Sequence, residues 1–263
     1  MELLFALALL PSIILGWIIW QNDKIEKEPT SLLIILFLCG VGSTIVTLLL
    51  SIFVYMIPLC NPETASRIIE HFVSAVIGVA LVEEFSKWIF IKVVTWKNKE
   101  FTHIYDAVVY AVFVSLGFAT VENLLYVFSS EGAIMVAIAR ALLAVPLHVF
   151  CGVFMGYYYG LAKQSEINNR NNLKQKNLLL SIIIPTLTHG FYDFCLFTGD
   201  ILFFLLFLIF VVTLYILAFI RINKLSKIQV PLRPVRPLFC TNCGTPGMGN
   251  YCANCGNKIK KDL

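Results

Sequence analysis

The sequence predicts an all-α, polytopic transmembrane bundle of about seven helices, with a small cysteine-bearing module at its C-terminal end. Three observations carry this reading. Of 263 residues, 59% are hydrophobic and only 14% are charged, well below the roughly 25% charged share of a soluble domain. The mean hydropathy is +0.83, so the chain holds more apolar surface than a globule of its length can bury, and lipid is the expected solvent for most of it. Apolar runs bounded by charge also recur at about 20 residues, the length that crosses a hydrocarbon core of roughly 30 Å. The eight cysteines and the net charge of +4 indicate neither a disulfide-dense secreted domain nor a nucleic-acid binder, because the charges follow membrane topology instead.

The seven runs cover residues 3–20, 31–57, 70–94, 104–128, 133–162, 178–197 and 201–220. The first has no positively charged start and no clear small-residue cleavage site, so it is expected to be a retained helix and not a signal peptide. Basic residues cluster in alternate connections: Lys24 and Lys27; Lys92, Lys97 and Lys99; Lys163, Arg170, Lys174 and Lys176; and Arg221, Lys224, Lys227, Arg233 and Arg236. These are fourteen residues, against Arg67 alone in the other three connections. That bias predicts an outer N-terminus, a cytosolic tail and an odd number of crossings, in a multi-pass protein of the cell membrane.

Residues 1–222 form the expected membrane domain, 223–238 a basic linker and 239–259 a separate module. Pro231, Pro234 and Pro237 stiffen the linker, whose charges suit anionic headgroups. Cys240, Cys243, Cys252 and Cys255 follow a C-x2-C-x8-C-x2-C pattern, with Gly244 and Gly256 directly after each pair. Two such knuckles offer four thiolates to a tetrahedral structural zinc, and a module this short would draw its folding energy from the metal. The segment resembles the small zinc ribbons that end many bacterial proteins, which implies a structural or docking role toward a cytosolic protein. Cys39, Cys60, Cys151 and Cys195 are scattered in apolar sequence and are expected to pack in the core.

Ionisable side chains at membrane depth cost several kcal/mol each, so each requires a partner or a task. The third run holds Glu83, Glu84 and Lys87; the fourth holds Asp106 and Glu122; the fifth holds Arg140 and His148; the sixth holds His189 and Asp193. Glu83 with Lys87, and His189 with Asp193, are four residues apart and share a helix face. Adjacent Glu83 and Glu84 diverge by about 100°, which suits one facing a reaction centre while the other pairs with Lys87 or Arg140. Phe118 is one turn before Glu122 and can wall the site; Pro185 is one turn before His189, where it should bend the helix or free a carbonyl. Asp106 stands near a helix start, as a cap or loop anchor. With the orientation above, the remaining groups converge in the outer to middle membrane. A desolvated carboxylate can take a proton from water, and imidazoles with cations can stabilise an oxyanion. Interhelical ion pairing, proton-coupled transport and a non-catalytic scaffold are the competing readings.

At these residues the chain resembles the PrsW family of intramembrane proteases, within the wider group that contains CAAX-processing and bacteriocin-immunity membrane proteases. The matching motifs are Glu-Glu-x-x-Lys at Glu83, Glu84 and Lys87; Phe-x-x-x-Glu at Phe118 and Glu122; the separate His148; and His-x-x-x-Asp at His189 and Asp193. Similarity extends to DKIEKEP at Asp23–Pro29, to Asp106 with Tyr110, and to GFATVEN, over about residues 1–220. The CAAX branch has histidine at the place of Glu122 and commonly asparagine at that of Asp193, departures that fit PrsW.

The resemblance implies cleavage of a peptide bond in or beside the membrane. It gives catalytic roles to Glu83, Glu84, Glu122, His148, His189 and Asp193, with Lys87 and Arg140 as supporting charge. Glu83 would activate water, Glu122 would help to position it, and His189 with Asp193 would serve near the oxyanion. The implied substrate is a single-pass membrane protein cut near its outer face, such as an anti-sigma factor. Members of the group have been called metalloproteases, so a catalytic metal on these same residues is the alternative to a glutamate mechanism, although no His-Glu-x-x-His spacing is present.

Overall fold

A computed structural model of the chain describes residues 2–23, 27–228, 230–232, 238–239, 242–243, 245–247 and 254–255. The fold divides into two compact units, Met1–Leu232 and Arg233–Leu263.

The first unit is helical throughout. In order it contains α1 (Glu2–Asn22), α2 (Thr30–Val54), a 3₁₀ turn at Pro58–Cys60, α3 (Ile68–Val73), a π-helical stretch at Ser74–Ala80, α4 (Leu81–Thr95), α5 (Ile104–Ser129), α6 (Ala133–Leu142), α7 (Ala144–Ile167), α8 (Asn171–Phe197) and α9 (Ile201–Ile228). Six helical segments among the described residues are long and apolar enough to cross a membrane, which makes this a multi-pass membrane protein. The third expected run is also helical, from Ile68 to Thr95, but it does not meet that standard. Glu83, Glu84 and Lys87 interrupt its apolar length, and α4 alone has 15 residues.

The fifth expected run breaks where one helix was predicted. Leu143 separates α6 from α7 with φ −120° and ψ −58°. Pro146 explains the break, since it has no N–H for the carbonyl of Leu142 and its ring crowds that carbonyl. The Tyr215 hydroxyl of α9 donates to the orphaned Leu142 oxygen.

Helix α5 is the spine. Its most apolar window is 89% buried, whereas the windows of α1 and α9 are each 22% buried and face outward. Small residues bring its neighbours close. Gly152, Gly156 and Gly160 form a stripe along α7, and a Cβ on Gly156 would lie only 2.4 Å from the Ala107 carbonyl oxygen of α5. Backbone approach of this kind substitutes for a hydrophobic driving force between helices in lipid. Asp106 caps α5: its Oδ2 accepts from the Thr102 and His103 amides at 2.8 and 2.7 Å.

Helix α9 continues to Ile228, six residues beyond the expected domain end at 222. The chain then crosses the start of α5: the Val230 carbonyl accepts from Ile104 N at 3.0 Å, and Leu232 N donates to the Thr102 carbonyl at 2.8 Å. Leu232 is buried there. In the second unit, β1 (Leu238–Phe239) pairs antiparallel with β2 (Pro246–Gly247), Leu238 opposite Gly247. Cys243 and Cys255 are exposed, while Cys240 and Cys252 lie outside the described residues, and with them the four-cysteine expectation.

Candidate active site

Local sequence sets the register of the site before any side chain is placed. The π-helical stretch Ser74–Ala80 precedes α4, and its wider turn changes the rotation at which Glu83 and Glu84 emerge. A Cβ on Gly190 would sit 2.8 Å from the Cα of Val76 in that stretch. Glycine therefore lets α8 approach closely enough for the neighbouring His189 to reach α4.

The ionisable residues from α4 to α8 form one chain of contacts. Lys87 Nζ donates to Glu84 Oε1 at 2.7 Å and to His148 Nδ1 at 3.1 Å. Glu84 Oε1 also receives His189 Nδ1 at 2.9 Å. His189 Nε2 stands 3.4 Å from Asp193 Oδ2. On the other side, His148 Nε2 meets Glu122 Oε2 at 2.8 Å, and an Arg140 terminal nitrogen lies 2.9 Å from the same oxygen. An ammonium only donates, so the Lys87 contact makes His148 Nδ1 an acceptor and places the ring hydrogen on Nε2, directed at Glu122. Phe118 lies beneath this arrangement, with Lys87 Nζ 4.0 Å from its ring centroid and the His148 ring 5.6 Å away.

The two adjacent glutamates have separate surroundings. Glu84 is fully buried and holds Lys87 and His189 together. Glu83 is 8% exposed and lines a cavity of about 740 Å³. Its Oε2 is 3.5 Å from Lys87 Nζ and 3.9 Å from His189 Nδ1, but accepts no hydrogen bond from a described protein group. Glu122, Arg140, His148, His189 and Asp193 line the same cavity. Tyr55, Pro62 and Glu63, between α2 and α3, and Phe197 with Phe204, flanking the α8–α9 turn, line it toward the connections poor in Lys and Arg.

Every residue expected at the site is therefore brought together, with Asp106 apart as expected. Sequence reasoning gave no role to Asn123, although it ends the GFATVEN segment that shares in the family resemblance. This buried amide accepts from Arg140 Nε and donates to the Ala8 carbonyl, both at 2.9 Å. An amide beside a membrane-depth glutamate was its visible signal. Trp88 was given no role either; its Nε1 donates to Ser181 Oγ at 2.9 Å and ties α4 to α8.

Glu83, Glu84, His148 and His189 present ligand atoms that all lie within 4.8 Å of one another, a donor set of the kind zinc uses. Lys87 Nζ contacts three of the four residues, at 3.5, 2.7 and 3.1 Å. Lys87 brings a positive charge against Glu84 and His148, where it competes for the atoms a divalent cation would need, and both nitrogens of His148 are engaged. In this arrangement the residues do not fit a resident metal ion.

A sequence model described as PrsW family intramembrane metalloprotease matches residues 28–220. Among similar proteins, Protease PrsW of Oceanobacillus iheyensis is 37% identical over 186 residues, covering 71% of this chain and 79% of the relative. Protease PrsW of Clostridioides difficile is 36% identical over 195 residues, 73% and 79% of the two chains. The Bacillus subtilis protein of the same name is 32% identical over 186 residues, 71% and 79% of the two chains. No solved structure matches. With its family motifs gathered around one cavity and matches that cover most of its length, the chain belongs to the PrsW family of intramembrane proteases.

Proposed function

We propose that this protease cuts a membrane protein near its outer face by a metal-free reaction in which the Glu83 carboxylate activates water. The observation that carries the reading is the position of Glu83: each of the two glutamates has one oxygen that accepts no hydrogen bond from a described protein group, but Glu83 lines the cavity and Glu84 does not. In the reaction, Glu83 takes a proton as the water oxygen bonds to the scissile carbonyl carbon. The carbonyl π electrons move to oxygen, and His189 with Asp193 faces the resulting oxyanion from the cavity wall. Collapse of this intermediate breaks the C–N bond, and Glu83 returns its proton to the leaving nitrogen. Glu122, held by His148 and Arg140, orients the water. Lys87 supplies the positive charge among the glutamates and histidines.

With Ile68–Thr95 taken as a seventh crossing beside the six long apolar helices, the N-terminus lies outside and the C-terminal tail in the cytosol, and the cavity's lining from the weakly basic connections supports an outer cut. A regulator such as a membrane-anchored anti-sigma factor suits that site as substrate, and a zinc-bound tail would dock a cytosolic protein.

Two measurements test the assignment. A Glu83→Gln protein that binds but does not cut is used to capture membrane proteins from its own cells, and the captured protein is then incubated with wild-type, Glu83→Ala and His189→Ala enzymes in liposomes. Cleavage by wild type alone is expected; undiminished cleavage by both variants would refute the assignment.

A further inference from the structure

Asn123 directly follows Glu122 in α5, and its side chain is fully buried. Both ends of its amide are used: Oδ1 accepts from Arg140 Nε at 2.9 Å, and Nδ2 donates to the Ala8 carbonyl of α1 at 2.9 Å. Arg140 belongs to α6, the ten-residue helix that ends at the break at Leu143. Its guanidinium lies over the Tyr126 ring, 4.2 Å from the centroid. The contact with Glu122 is 2.9 Å long but lacks hydrogen-bond alignment. Attraction between the two charges therefore does not set the angle of the guanidinium, whereas the planar Nε–H bond to Asn123 does.

We propose that Asn123 is a positioning residue for the reaction, acting through Arg140 to fix the charge that holds Glu122. Resting on the proteolytic reading above, this also gives α1 a role in the site, although α1 contributes no residue to the cavity wall. The Ala8 carbonyl locks the Asn123 amide in one orientation, so that its oxygen and not its nitrogen faces Arg140. Adjacent side chains on a helix diverge by about 100°, and Arg140 spans the angle between Asn123 and Glu122.

A strut joining α1 to α5 would be the simpler role, and a control for it lies one turn away. Thr120 Oγ1 of α5 lies 2.8 Å from Ser12 Oγ of α1 and 2.7 Å from the Leu116 carbonyl oxygen, and neither partner lines the cavity. The experiment compares full-length wild type, Glu83→Gln, Asn123→Leu, Asn123→Asp, Arg140→Ala, the Asn123→Leu/Arg140→Ala double variant and Thr120→Val in liposomes. Each is given a peptide spanning the cut site mapped with wild type, and thermal unfolding is recorded beside kcat and KM.

Asn123→Leu is expected to lower kcat by about 10- to 100-fold, the scale of loss on misplacing a catalytic group by an ångström, with KM little changed. The double variant should be no slower than Arg140→Ala alone, because both substitutions break one linkage. Asn123→Asp keeps an oxygen for Arg140 but loses the donor to the Ala8 carbonyl, so it should be faster than Asn123→Leu and slower than wild type, while Thr120→Val should lower the unfolding temperature without lowering kcat. Losses that multiply in the double variant, or a Thr120→Val loss of kcat matching that of Asn123→Leu, would overturn the inference. Absence of Glu83-dependent cleavage by wild type would overturn the proteolytic reading and this one with it; an active wild type with multiplying losses overturns this one alone.

Discussion

Glu83 and Glu84 are identical side chains one residue apart, and their packing gives them different consequences on substitution. Glu84 is the shared acceptor of Lys87 and His189, so Glu84→Gln leaves a buried ammonium with a weaker partner. Removing one member of a buried ion pair costs about 3–5 kcal/mol. Glu84→Gln should therefore lose activity and also unfold at a clearly lower temperature in detergent. Glu83→Gln should lose activity with a smaller fall in unfolding temperature, because its ion pairs with Lys87 and His189 are longer, at 3.5 and 3.9 Å. Equal thermal losses in the two variants would contradict this division. The ionisable residues were legible in the sequence because lipid makes each of them costly. Which glutamate faces the cavity was not legible, since a 100° divergence says only that the two differ. Asn123 stood in the GFATVEN segment but received no role, because an uncharged amide demands a partner less plainly than a carboxylate and its partners are 17 and 115 residues away in the chain.

At the scale of elements, close backbone approach decides what packing tolerates. Gly156→Leu places a side chain where even a Cβ would lie 2.4 Å from Ala107 O. It should separate α5 from α7 and reduce the yield of folded protein, whereas Gly132→Ala, with nothing within 4 Å of the added carbon, should leave yield unchanged. Size-exclusion profiles of the two variants would check this. The loop before α2 makes a pH-dependent contribution. Burial and the nearby Asp106 carboxyl push the Glu28 carboxyl from its ordinary 4.5 up to about 9. The folded state thus holds that proton more tightly than the unfolded chain. Its stabilisation is fully present below pH 4.5 and is lost as pH rises through 9. Glu28→Gln should match wild type in thermal unfolding near the lower limit and exceed it near the upper one; a constant difference across the window would contradict the assignment. Apolar runs located the long helices well because their length is set by the bilayer. The α6–α7 break was missed although Pro146 marks it, because hydropathy alone runs across it. The π-helical stretch has no comparable sequence mark.

For the whole molecule, charge placement and apolar runs made the membrane class readable, and the ordered motifs made the family readable. The end of the membrane unit was less so: the basic, proline-bearing composition suggested a linker from 223, yet α9 continues to Ile228 and Leu232 packs against the start of α5. Polar composition does not reveal a short segment that finds backbone partners at residues 102–104. A protein truncated after Leu232 should therefore keep the compact first unit and its activity, which also removes the cysteine tail as a source of metal dependence. The decisive measurement is the cleavage rate of this 1–232 protein before and after exhaustive chelation, with Glu83→Gln as the inactive reference. An unchanged rate, dependent on Glu83, is the result that a Lys87-centred site with a glutamate-activated water predicts. Loss of cleavage on chelation, restored by adding zinc back, would contradict it.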